Sequence, residues 1–117
     1  MARYEIRLSG AGGQGMILAG IILAEAVLDE DDLNVTQTQS YGPESRGGAS
    51  RAEVVISEDV IDYPKVIKPD CLLCLTQEAF DKYGNELKDD GVLIVDERID
   101  TSKADESIKE NILSLPI

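Results

Sequence analysis

Four glycines in six residues, Gly10-Ala11-Gly12-Gly13-Gln14-Gly15, stand between a strand pattern and a long apolar run. Upstream, Tyr4, Ile6 and Leu8 alternate with Glu5 and Arg7, the period of a β-strand. Downstream, Met16 to Leu28 is apolar almost all round, with Glu25 its one charge, which predicts a helix buried on several sides. Strand, glycine turn and helix together aim backbone N–H groups and a helix N-terminus at one point, the layout that receives an anion. Gly20, inside the helix, is expected to allow a close approach to the sheet.

The remaining elements follow the same α/β logic. Asn34–Ser40 and Arg51–Ser57 read as strands, Ser57-Glu58-Asp59 as a turn, and Val60–Tyr63 as a short strand or bridge stopped by Pro64. Cys71–Thr76 and Val92–Val95 are continuous apolar runs, as central parallel strands buried on both faces require. Gln77–Leu87 fits a helix, with Ala79, Phe80 and Tyr83 on one face, and Ile112–Leu115 a last strand broken by Pro116. Only 4% of residues are aromatic, so Ile, Leu, Val and Ala must build the core. The expected fold is a Rossmann-like, mostly parallel sheet with helices on both faces. Residues 1–117 read as a single domain whose C-terminal part is missing.

Charge and composition narrow the chemistry. A net charge of −12 repels phosphate backbones and anionic membranes, so neither nucleic acid nor membrane is an expected partner. The chain has no histidine, the usual general base and commonest metal ligand. No catalytic residue and no metal ligand is expected. Cys71 and Cys74 lie in an apolar run, and their odd separation sends them to opposite faces of a strand, which predicts buried structural thiols. With no leader and no long apolar run, the expected compartment is the cytoplasm.

The glycine stretch satisfies G-x-G-x-x-G, yet the end of the second strand carries Thr38, Gln39, Ser40 and Tyr41, not the acid that holds a dinucleotide's ribose. The phosphate of another cofactor and a ligand-free tight turn remain as readings. A second stretch, Tyr41-Gly42-Pro43-Glu44-Ser45-Arg46-Gly47-Gly48, combines three glycines with a fixed proline φ. It is a docking or ligand loop, or a turn closed by a local Glu44–Arg46 pair. Both loops are expected at one edge of the sheet. The anion-facing candidates are Gly10, Gly12, Gly13, Gln14, Gly15 and Arg46; the contact candidates are Tyr41, Gly42, Glu44, Arg46, Gly47 and Gly48.

Gly10–Ala19, Thr36–Ser50, Glu53–Ser57 and Ile61-Asp62-Tyr63-Pro64 together resemble the gamma subunit of 2-oxoacid:ferredoxin oxidoreductases, most closely the 2-oxoglutarate enzymes. Pyruvate and 2-ketoisovalerate gamma subunits are the near alternatives. The resemblance implies a non-catalytic subunit of an EC 1.2.7 complex, inactive by itself. Its partners would be alpha, beta and delta subunits and, through the complex, ferredoxin. The complex would use thiamine diphosphate and iron–sulfur clusters on other chains, and coenzyme A, whose access this chain would shape. A stand-alone nucleotide-binding oxidoreductase and a plain interaction domain are the readings from other classes.

Overall fold

The computed structural model describes residues 3–10, 16–28, 33–40, 50–61, 66 and 68–116. In chain order these form β1 (Arg3–Gly10), α1 (Met16–Leu28), β2 (Asn34–Ser40), β3 (Ser50–Ser57), β4 (Cys71–Cys74), α2 (Gln77–Tyr83), a 3₁₀ turn (Gly84–Glu86), β5 (Val92–Asp96), α3 (Glu106–Lys109) and β6 (Ile112–Leu115). The strands make one six-stranded sheet in the order β2-β3-β1-β4-β5-β6. The β1–β4, β4–β5 and β5–β6 pairs are parallel; β3 runs antiparallel to both β1 and β2. This is the expected mixed α/β architecture, with β1 as the boundary between an antiparallel and a parallel half.

Side-chain alternation sends the two faces of the sheet into two cores. On one face Ile6, Leu8, Val54 and Ile56 pack with Tyr4, Leu23, Val35, Cys71 and Leu73. On the other, Leu72, Cys74, Leu93 and Val95 pack beneath Ala79, Phe80 and Tyr83 of α2 and Ile108 of α3. The two cysteines therefore lie on opposite faces of β4, both as free thiols, as their spacing predicts.

Helix α1 differs from its expected burial. Gly20 and Ala24 face the sheet, while Ile21 and Ile22 are exposed. The helix packs chiefly against β2 and β3, with a smaller contact to β1, and leaves Ile21 and Ile22 uncovered although the sequence is apolar all round. The same sheet face over β5 and β6 carries Val92, Leu113 and Leu115, the last two 52% and 45% exposed.

Helix α2 is shorter than the predicted Gln77–Leu87. Thr76 caps its start, its Oγ accepting the Ala79 N–H at 3.1 Å. Gly84 lies under the Phe80 ring, and there the helix tightens into the 3₁₀ turn. Of the expected Val60–Tyr63 strand, Val60 and Ile61 join no ladder, and residues 62 and 63 lie outside the described residues.

Candidate functional site

The edge at which β1 ends brings several elements together. Gly10 pairs with Ser50 at the start of β3, and Arg51 pairs with Ser40 at the end of β2. The chain therefore enters the Gly10–Gly15 stretch and the Tyr41–Gly48 stretch from the same end of the sheet. On the other side of β1, Ser9 pairs with Cys74, and the Leu75 N–H donates to the Ser9 carbonyl at 2.9 Å. This is the carboxyl end of the parallel strands, where open α/β sheets bind ligands. After β1 the chain turns to α1 on one face; after β4 it turns to α2 on the other. The helices that follow these two adjacent strands thus lie on opposite faces, and the β1–β4 boundary is the kind of switch point at which such a crevice opens.

Of the candidates read from sequence, Gly10 is placed at this edge. Gly12, Gly13, Gln14, Gly15, Tyr41, Gly42, Glu44, Arg46, Gly47 and Gly48 lie outside the described residues.

The rim beside β4 and β5 is held by polar pairs. Gln77 and Asp100 exchange two hydrogen bonds, Nε2 donating to the Asp100 carbonyl at 3.0 Å and Oε1 accepting the Asp100 N–H at 2.8 Å. Asp96, buried at the end of β5, accepts from the Arg98 N–H, Nε and Nη2 at 3.0, 3.1 and 2.9 Å. The Arg98 side-chain and backbone hydrogen bonds hold the Asp96 carboxyl down to about 2. Behind the rim, the Ser9 hydroxyl donates to the Leu73 carbonyl at 2.8 Å. Burial pushes the Cys74 thiol up to about 11, so it is protonated at neutral pH and is a poor nucleophile.

A buried ionic cluster lies below this edge, and strand-by-strand reading missed it. Arg7 is 2% exposed, and its Nε donates to Glu53, 5% exposed, at 2.7 Å. It also donates to Glu86 and to the Val66 carbonyl. Its guanidinium lies 5.0 Å from the centre of the Tyr83 ring. Burial lowers the Arg7 pKa, but the hydrogen bonds to Glu86 and Glu53 outweigh it, and the net shift is upward. The available signal was a charge in the middle of each of two strands whose neighbours are apolar. The partners are 46 residues apart, so neither strand alone announces the pair.

Among the described residues, no group of three His, Cys, Asp or Glu stands together as a metal site. Cys71 and Cys74 cannot bind one iron–sulfur cluster together, because they face opposite cores. No helix of the described residues is long and apolar enough to cross a membrane. An open depression of about 390 Å³ on the α2 flank is lined by Phe80, Asp81, Asn85 and Lys103, which include no ready nucleophile and no metal-ligand set.

Residues 5–117 match the family model described as pyruvate ferredoxin/flavodoxin oxidoreductase. The chain is 63% identical over 95 residues to the 2-oxoglutarate synthase subunit KorC of Methanocaldococcus jannaschii, covering 81% of this chain and 51% of that protein. It is 34% identical over 113 residues to the ketoisovalerate oxidoreductase subunit VorA of Methanothermobacter marburgensis, covering 97% of this chain and 23% of that one. The crystal structure of a keto/oxoacid ferredoxin oxidoreductase gamma subunit from Geobacter sulfurreducens PCA superposes with a TM-score of 0.77 at 50% identity, covering 97% of this chain and 59% of that chain. The chain spans about half the length of the 2-oxoglutarate synthase subunits it matches.

Proposed function

Because the chain belongs to the pyruvate ferredoxin/flavodoxin oxidoreductase family, we propose that it is a gamma-type domain, residues 1–117, of a 2-oxoglutarate:ferredoxin oxidoreductase. The complex decarboxylates 2-oxoglutarate oxidatively, joins the resulting succinyl group to coenzyme A and passes the electrons to ferredoxin. The observation that carries this reading is the 63% identity to a 2-oxoglutarate synthase subunit, against 34% to a ketoisovalerate oxidoreductase subunit.

The chain's own part is non-catalytic. Thiamine diphosphate and the iron–sulfur clusters belong to partner subunits; the opposed faces of Cys71 and Cys74 do not suit a shared cluster here. The carboxyl edge at Gly10 is the surface this chain turns toward the alpha, beta and delta subunits. The backbone N–H groups of Gly12–Gly15 and the Arg46 guanidinium are its anion-facing groups, suited to the phosphates of coenzyme A. Cytoplasmic residence follows from the same reading.

The test is purification of the tagged chain from its own cells without oxygen, followed by mass spectrometry of what accompanies it. A thiamine-binding chain and a ferredoxin-like chain are the expected companions. Recovery of the intact, soluble chain alone would overturn the subunit reading. In the purified complex, Arg46→Ala is expected to raise the KM for coenzyme A or weaken assembly. Unchanged activity and assembly would remove Arg46 from the role.

A further inference from the structure

Arg7 lies in the middle of β1, the strand shared by both halves of the sheet. It directs its donors to three segments far apart in sequence: Glu53 of β3, Glu86 of the 3₁₀ turn and Val66, which lies between β3 and β4. The Nη2 donor reaches the Val66 carbonyl at 2.8 Å. The Val66 N–H donates in turn to Oε1 of Glu53, at 3.4 Å. Both backbone polar groups of Val66 are thus held by one buried ion pair, not by a strand ladder. The Tyr83 ring lies against the guanidinium, and Arg51 stands 3.7 Å from the same Glu53 carboxylate.

Removing the charges of Arg7 and Glu53 from water is costly, and well-packed apolar side chains in their place are often neutral or stabilising. An ionic cluster offers direction, which apolar packing does not. Arg7 and Glu53 are directly opposite in the β1–β3 register. A slip of two residues would set Arg7 against Val55 or Arg51 and leave a buried charge unpaired. Val66 is five residues ahead of β4. The entry to β4 is then fixed by Asp70, whose N–H donates to the Glu5 carbonyl at 2.7 Å and whose carboxylate accepts the Glu5 N–H at 2.8 Å.

We propose that Arg7 is a positioning residue: with Glu53 and Glu86 it forms a buried ionic clamp on Val66 that sets where the chain enters β4. The clamp thereby fixes β4 beside β1 and, through it, the carboxyl edge at Gly10. The proposal concerns the chain's own architecture and stands whether or not the oxidoreductase assignment does.

Amide hydrogen exchange followed by NMR on the full chain tests it. The Val66 N–H donates to a carboxylate, so its exchange reads the clamp, whereas Leu93 and Val95 read the sheet and the apolar core. Glu86 is half-exposed, so Glu86→Ala removes one arm of the clamp at the rim with the fold retained. Exchange at Val66 is expected to accelerate by about tenfold or more, because Arg7 without Glu86 holds the Val66 carbonyl and Glu53 less firmly, with Leu93 and Val95 unchanged. Arg7→Lys keeps the charge but replaces the planar fork by a point donor, and is expected to leave Val66 equally unprotected. Unchanged exchange at Val66 in Glu86→Ala would overturn the clamp. So would acceleration shared equally by Leu93 and Val95, or full protection of Val66 in Arg7→Lys.

Discussion

Tyr83 is 1% exposed, and its hydroxyl has no hydrogen-bond partner among the described residues. A buried hydroxyl without a partner carries its desolvation cost uncompensated. Tyr83→Phe keeps the ring under Arg7 and removes that cost. It is expected to leave thermal stability unchanged or to raise it by up to about 1 kcal/mol; a loss of stability would show that the hydroxyl is satisfied after all. The thiols give a second prediction at this scale. Cys71 is half-buried and Cys74 fully buried, with a pKa pushed up to about 11. Iodoacetamide at pH 8 is expected to modify Cys71 first and Cys74 only when the chain unfolds. Equal rates, followed by mass spectrometry, would contradict the burial of Cys74. The opposed faces of these two residues were legible because strand periodicity alone decides them. The partners of Arg7 were not, because a single strand shows its alternation but not what covers its polar side.

Two glycines separate what a helix asks of its sequence from what a turn asks. Gly20 faces the sheet, and a methyl group there would meet Ala52 Cβ at 3.4 Å, an ordinary contact. Gly20→Ala is therefore expected to stabilise α1, by up to about 1 kcal/mol from helix propensity. Gly91 precedes β5, and a Cβ there would come within 2.9 Å of the Asp70 carbonyl oxygen and of the Leu87 side chain. Gly91→Ala is expected to cost about 1–3 kcal/mol, because a backbone oxygen cannot move aside. Thermal melts of both variants check the contrast, and equal shifts in the same direction would refute it. Elements with long, consistent patterns were readable: β2 falls on its expected residues, and the apolar runs became β4 and β5. Their expected burial on both faces holds only beneath α2 and α3; on the α1 face Cys71, Leu73 and Ile94 are half-buried and Val92 is exposed, because α1 lies over the other half of the sheet. Helix α3 is only Glu106–Lys109, too short and polar for any period to show. The end of α2 was misplaced because the Phe80–Gly84 contact is a tertiary matter. The two glycine loops were read as sharing one sheet edge, and the strands they join do end together there. The antiparallel register brings this about: β3 runs against both β1 and β2, so its start at Ser50 and Arg51 lies beside the ends of both, at Gly10 and Ser40.

Across the whole molecule, acid is the condition that tests the balance of charge. The Asp96 carboxyl titrates near 2 in the folded chain instead of at its ordinary 3.8, and the Ser102 N–H holds the Asp100 carboxyl down as well. Between these limits the unfolded chain binds more protons than the folded one, so stability rises with pH. The contribution of Asp96 is complete above its unfolded pKa and is lost as the pH falls through about 2. Asp96→Asn is expected to flatten the pH dependence of the urea midpoint over that window, and an unchanged slope would remove the Arg98 pairing as its cause. With a net charge of −12, protonation elsewhere relieves repulsion over the same range, so the comparison must be made against the parent chain at each pH.

Strand β1 is made early and completed late. Its neighbours in the sheet, β3 and β4, begin 40 and 61 residues after Gly10. At about 5–20 residues per second, a ribosome needs roughly 2–8 s to deliver the first neighbour and 3–12 s to deliver the second. For that interval an eight-residue strand with an apolar face and a pair of inward charges has no partner on either side. Arg7 is awaiting its carboxylate throughout. The boundary strand of the finished sheet is thus a vulnerable stretch of the nascent chain, and its charges give it a reason not to pair with the first apolar strand it meets.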